Sequence, residues 1–260
     1  EEIFEQGASE FSRMLVRTSK DFRETIVKFL KTFLTELEKV EERLSKKFSF
    51  SDCAVGNCIL MGAFFESGKN WSKAISSLEK LLITRGKIEI VSETDRHLFA
   101  VCKDGRVLPT EASVITDSDG DIIEFFLAEK AVEKAEIEQI IANVGLERGL
   151  EEIRSRFHSP TSPTESAIEA IKNADVVIYG SGTFYSSILP TLQIEDISNV
   201  IAENPNPKIM ILNIVEEADT RGFLGIDLVE KIAGFVLSLI HISEPTRLRR
   251  ISYAVFCLKK

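Results

Sequence analysis

The apolar positions Phe22, Ile26, Phe29, Leu30, Phe33, Leu37, Val40 and Leu44 step by three and four, a spacing that predicts one helical stripe within the stretch from about Ser9 to Leu44. "FSFSDCAVGNCILMGAFF" then predicts a short alternating segment, a turn at Gly56-Asn57 and an apolar helix, with Ser51 or Asp52 as its cap. "NWSKAISSLEKLLI", Asn70 to Ile83, is a second amphipathic helix. "KIEIVSE" and "HLFAVCKDGRVLPTEASVIT" alternate like strands, and Asp104-Gly105 is a hairpin signal between two of their runs. "DIIEFFLAE" predicts a further strand. "SPTSPTESAIEAIKNA" reads as a Pro/Ser/Thr loop feeding a helix capped by Ser162 or Thr164. The apolar segments "DVVIYG" and "KIMILNIV", separated by a helix-like stretch, suit strands buried on both faces. The expected architecture is α/β: a Rossmann-like, mostly parallel sheet with helices on both faces and a β-hairpin excursion.

Charge narrows the partners. A net charge of -9 and a pI near 5.1 argue against a general nucleic-acid binder, which needs a basic face to displace counterions. The four cysteines show no CxxC or Cys/His ligand spacing and read as core thiols of a reducing compartment; Cys53 and Cys58, five apart, are too loose a signal for a metal site. No apolar run approaches the roughly 20 residues that span a bilayer. The expectation is a cytoplasmic protein without membrane or nucleic-acid partners, for which a homo-oligomer is left open.

The final stretch, "LSLIHISEPTRLRRISYAVFCLKK" from Leu237 to Lys260, can be encoded by two consecutive adaptor elements of a short-read sequencing library, with index-length spacing between them. Residues 237–260 are therefore expected to be a non-native tail, and residues 1–236 a single domain. Setting the tail aside removes five basic residues and one acid, so the remainder is more acidic still. The chain also opens inside helix-like sequence, and its first strand is expected to be missing.

Gly180-Ser181-Gly182-Thr183-Phe184-Tyr185-Ser186-Ser187 follows a predicted strand. In open α/β sheets ligands sit beyond the carboxyl ends of strands, where glycines let the backbone approach an anion and helix amides and hydroxyls donate to phosphate oxygens. A bare Gly-x-Gly lacks the lysine of a P-loop and the third glycine of the dinucleotide fingerprint, so a capped strand-to-helix turn is an equal reading. Gly56-Asn57 and Asn213, at the end of "KIMILN", are further polar groups that three separate elements could bring to one crevice. Asn57 in a turn is more commonly conformational. His97 and His158 read as structural or solvated, and Glu216, Glu217 and Asp219 as a solvated acidic loop before a metal site. Asp117, Asp119 and Asp121 lack the later glutamate of a calcium loop.

At these residues the sequence resembles the 2-phospho-L-lactate transferase, or CofD-like, family, which includes the YvcK-type gluconeogenesis factors. Four stretches in order carry the resemblance: "AVGNCILMGAF", "TRGKIEIVSETDRHL" with the "KDGRV" hairpin, "ESAIEAIKNADVVIYGSGTFYSSILPTL" and "KIMILNI". They cover roughly Ser51 to Val215. The third retains Gly180, Gly182, Tyr185, Ser187 and Ile188-Leu189-Pro190, with Ser181 where proline is usual. The resemblance implies a Rossmann-like domain binding a nucleotide diphosphate compound, lined by Gly56, Asn57, Gly180, Gly182, Thr183, Tyr185, Ser186, Ser187 and Asn213. In the transferase branch it implies magnesium-dependent transfer of a phospholactyl group from a guanylated carrier to a deazaflavin alcohol. In the YvcK-like branch it implies a bound UDP-sugar and a regulatory role. The family's Gly-Gly-Thr-Gly loop is absent, and "IVEEADTRG" stands where Gln-Pro-Gly-Glu-Thr is usual. These departures point to a distinct subgroup.

Overall fold

Helix α1, Lys20–Leu44, starts where Ser19 turns its hydroxyl back to accept the amide of Phe22 at 3.2 Å, and ends where Ser45 enters the left-handed region at φ 51. The structure, a computed structural model, describes residues 17–50, 53–213, 217–236 and 256–258. The helix expected from about Ser9 begins at Lys20, after the non-helical residues 17–19, and residues 9–16 lie outside the described ones. The predicted stripe is present: Ile26, Phe29 and Phe33 are its buried positions, and full burial of such a side chain contributes about 2 kcal/mol.

The chain forms two units, divided between Ile90 and Val91. In the first, α1 packs on α2, Val55–Glu66, and α2 on α3, Trp71–Leu82. Gly62 of α2 lies against the backbone of Phe29, an approach that leaves no room for a β-carbon. Phe29, Ala63 and Ala74 form the buried centre, and Phe64 stacks on Trp71 with ring centroids 4.1 Å apart. Asn70 caps α3 by accepting the amide of Lys73 at 2.8 Å. Gly56 and Asn57 do not form a turn before α2: they occupy its first turn, after Ala54, which offers no side-chain cap. The expected caps Ser51 and Asp52 lie outside the described residues.

In the second unit, β1, His97–Cys102, pairs antiparallel with β2, Val107–Leu108, through the predicted turn, where Gly105 has φ 83. The expected strand beyond Leu108 is instead helix α4, Glu111–Thr116. Thr110 and Ser113 form a reciprocal capping box there, which outweighs the apolar alternation of a short segment. Residues 87–93, expected as a strand, pair with nothing in either sheet and run as a loop. β3, Ile122–Ala128, joins β1 on its other edge to give the order β2-β1-β3.

Both faces of this sheet are buried. Phe99, Val101 and Phe126 face Ile137, Ile140 and Ile153 of α5, Lys134–Val144, and α6, Leu146–Phe157. Leu98, Ala100, Phe125 and Leu127 face the larger core. Helix α7, Glu165–Lys172, begins at the expected Thr164 cap, which accepts the amide of Ala167 at 3.2 Å. It leads to β4, Val177–Tyr179, then to a π-helical turn, Phe184–Ile188, and to α8, Leu189–Leu192, and α9, Glu195–Glu203. β5, Lys208–Met210, runs parallel to β4, with Tyr179 opposite Met210. After a 3-10 turn at Ala218–Thr220 comes α10, Gly225–Val236. The described part of the expected tail is β6, Phe256–Leu258, antiparallel to β5. The fold is α/β, and no described helix is long and apolar enough to cross a membrane.

Candidate functional site

β4 delivers its carboxyl end directly into the glycine-bearing loop. The carbonyl of Tyr179 accepts the amide of Ile211 at 2.9 Å, which holds the ends of β4 and β5 side by side. Beyond this bond the two chains part, β4 into Gly180–Thr183 and β5 into Ile211–Asn213. The carbonyl of Thr183 accepts two amides, Ser187 at 2.9 Å and Ile188 at 3.2 Å, which widens the following turn into a π-helix. Such single wide turns recur at functional positions. Among the described residues, no hydrogen bond occupies the amides of Gly182 and Thr183.

Between the two strand ends lies a cleft of about 210 Å³. Gly182, Phe184 and Ile188 form one wall, Met210 to Asn213 another, and Glu217, Thr220, Phe223 and Leu228 close it. Two of the predicted site residues, Gly182 and Asn213, thus meet on one cavity although 31 positions separate them in the chain. A β-carbon on Gly182 would sit 3.2 Å from that of Ser187, tight against the π-turn. Gly180 and Ser187 are exposed, while Thr183 and Ser186 are half-buried. Gly56 and Asn57 belong to the first unit and are exposed on the first turn of α2.

Tyr185 serves the loop differently. Its ring is buried, packed edge-on against Phe125 and Phe184, and its hydroxyl donates to the carbonyl of Ile122 at 3.2 Å. Burial, with the Asp219 carboxylate nearby, pushes its phenol well above the ordinary range. Its contribution to the loop is to anchor it.

Asp219 is the group that sequence reasoning misplaced. Expected in a solvated acidic loop, it is fully buried, and its Oδ2 accepts the amide of Tyr185 at 3.0 Å. It therefore supplies a carboxyl oxygen as acceptor at the start of the π-turn. Burial raises its carboxyl above the usual range, the amide of Tyr185 opposes this, and Glu217 adds to it. Its Oδ1 has no hydrogen-bond donor among the described residues. No local signal marks this role, because acceptor and donor lie 34 positions apart.

Among the described residues that line the cleft there is one carboxylate, Glu217, and no lysine or arginine. Lys231 lies beside the wall of the cleft, its amine 5.3 Å from the ring centroid of Phe223 and 5.5 Å from that of Tyr185. His158 is structural: its Nδ1 accepts the amide of Leu127 at 3.4 Å. His97 stands at the exposed start of β1.

A Rossmann-like α/β protein with its cleft at the carboxyl ends of parallel strands is the class that this geometry defines. The family model described as 2-phospho-L-lactate transferase CofD matches residues 12–239, and the chain belongs to that family. It is 26% identical over 214 residues to the gluconeogenesis factor of Halalkalibacterium halodurans, covering 78% of this chain and 56% of that one. It is 24% identical over 218 residues to the gluconeogenesis factor of Bacillus subtilis, covering 81% and 59%. A crystal structure of a UPF0052-family protein from Bacillus halodurans superposes with a TM-score of 0.54 at 25% identity, covering 73% of this chain and 52% of that one. The chain spans about half the length of the curated relatives it matches.

Proposed function

We propose that this chain carries the ligand-binding domain of a regulatory protein of the gluconeogenesis-factor type, and that its ligand is a nucleoside diphosphate compound, specifically a UDP-sugar. The observation that carries the reading is the meeting of Gly182 and Asn213 on one cleft at the ends of two parallel strands. The amides of Gly182 and Thr183 and the hydroxyls of Thr183, Ser186 and Ser187 are donors suited to phosphate oxygens. The side-chain amide of Asn213 can both donate to and accept from a sugar or base. Tyr185 anchors the loop, and Gly180, Gly56 and Asn57 are proposed as ligand contacts by family resemblance. The names of the relatives support a regulatory role.

Asn213, Glu217 and Thr220 offer oxygen donors that include one carboxylate. Such a set suits a magnesium ion shared with ligand phosphates, which would neutralise their charge. The description of the family model, a 2-phospho-L-lactate transferase, supports a second reading as a transferase, for which the family resemblance implies magnesium-dependent transfer from a guanylated carrier to a deazaflavin-type acceptor. In that reading the same residues would position the phosphates and stabilise their charge without a covalent protein intermediate.

Calorimetric titration of the full-length protein separates the two. Binding of UDP-glucose or UDP-N-acetylglucosamine, with GDP and magnesium silent, is the expected result. Selective, magnesium-dependent binding of GDP would replace the regulatory reading with the transferase one, and silence from every nucleotide would refute both.

A further inference from the structure

Cys53 and Cys58 bracket the first turn of α2. Cys53 stands just before the N-cap Ala54 and is half-buried, while Cys58 lies on the buried side of the helix. Their Sγ atoms are 3.5 Å apart, within thiol hydrogen-bond contact. A disulfide requires about 2.05 Å between sulfurs. Going from 3.5 Å to that length asks for a small further approach of the two sulfurs. Cys102, by contrast, is sealed inside β1 in the second unit.

We propose that Cys53 and Cys58 form a reversible disulfide across the first turn of α2, made and broken by exchange with a small-molecule thiol–disulfide couple. The better exposed Cys53 meets the oxidant. Its thiolate attacks one sulfur of the small disulfide, forming a mixed disulfide and expelling a thiolate, which takes up the proton that Cys53 released. Cys58 then gives up its proton and attacks the Sγ of Cys53; the mixed bond breaks and the second small thiol leaves with that proton. Two protein thiols and one small disulfide thus become one protein disulfide and two small thiols. Burial, and then the hydrogen bond with Cys53, raises the Cys58 thiol to about 11, so Cys53 rather than Cys58 is assigned the first attack.

The loop closed in this way contains Gly56 and Asn57. If these residues contact ligand, which rests on the reading of the previous subsection, the bond fixes their backbone and alters affinity. Oxidation then regulates the same protein that the ligand does.

The test equilibrates the full chain in glutathione buffers of increasing disulfide fraction, quenches by alkylation under denaturing conditions and maps peptides without reduction. Trypsin leaves both cysteines on one peptide, Phe48–Lys69, and Cys102 on another, His97–Lys103. The expected result is a Phe48–Lys69 peptide that resists alkylation and is lighter by two hydrogens. It should appear and vanish reversibly with the glutathione ratio, while His97–Lys103 remains alkylated. Cys53→Ser and Cys58→Ser should each abolish this species and leave at most a glutathione adduct on the remaining thiol. A Phe48–Lys69 peptide that stays fully alkylated in fully oxidised glutathione, or that carries only glutathione, overturns the proposal without recourse to any variant. Titrating the reduced and oxidised forms with UDP-glucose separates the two readings. A several-fold difference in Kd supports control of the ligand by the disulfide, and equal affinity removes it. Silence from both forms refutes the ligand reading alone, with the peptide map still deciding the disulfide.

Discussion

The backbone amide of Tyr185 donates to the buried carboxyl group of Asp219 at 3.0 Å, so the turn that follows the glycine loop begins on an acceptor supplied by a distant segment of the protein itself. The bond ties the segment after β5 to the segment after β4, the two sides of the cleft. Asp219→Ala leaves that amide without an acceptor in a dry site and should lower stability by about 1–3 kcal/mol. Asp219→Asn keeps an oxygen acceptor and removes the ionisable group. Because the Asp219 carboxyl is raised in the folded state, its favourable contribution is complete below the unfolded value of 3.8 and is lost as pH rises through the folded one. The stability of Asp219→Asn relative to the parent should therefore improve from pH 4 to pH 7, which parallel urea titrations at the two pH values would detect.

Gly120 packs against the same segment. Its φ of 73 lies in the left-handed region, and a β-carbon there would collide with the carbonyl of Arg221. Asp119 also pairs with Arg221, but both side chains are 59% exposed. Backbone strain outweighs a solvated ion pair, so Gly120→Ala should cost about 2–3 kcal/mol and Arg221→Ala under about 1 kcal/mol. Thermal unfolding of the two variants side by side checks the order; a larger loss in Arg221→Ala contradicts it.

Ligand affinity and stability should separate at the cleft. Asn213 is exposed, so Asn213→Ala should leave the melting temperature nearly unchanged while weakening UDP-sugar binding roughly tenfold, the worth of about one hydrogen bond to a charged ligand. Gly182→Ala narrows the cleft against Ser187 and should weaken binding at least as much. Calorimetry reads both effects. Unchanged affinity in the two variants would place the ligand elsewhere.

His158 makes an opposite pH prediction. Burial, then the charges of Arg154 and Arg96, lowers its pKa below 6.5. A depressed pKa means that its contribution is complete above the unfolded value and lost as pH falls through the folded one. Unfolding free energy should decline on acidification from pH 7 towards 5, and His158→Gln should flatten that decline. Chemical denaturation across this range makes the comparison.

What the sequence by itself determined were features written in a few adjacent residues. The stripe of α1, the cap at Thr164, the turn at Asp104-Gly105 and the passage from β4 into a glycine loop depend on local dihedral preferences, short hydrogen bonds and periodicity. Gly182 and Asn213 were legible as candidate ligand contacts at two strand ends, and the structure gives them a shared cavity. Tertiary structure decided the rest. Residues 87–93 alternate like a strand yet find no edge to join, and residues 111–116 do so too but close on a capping box. Asp219 looked like one acid in an exposed run, and Cys53 and Cys58 looked merely five apart. A residue's burial and its partners depend on which distant surfaces exclude water together, and no spacing along the chain records that choice.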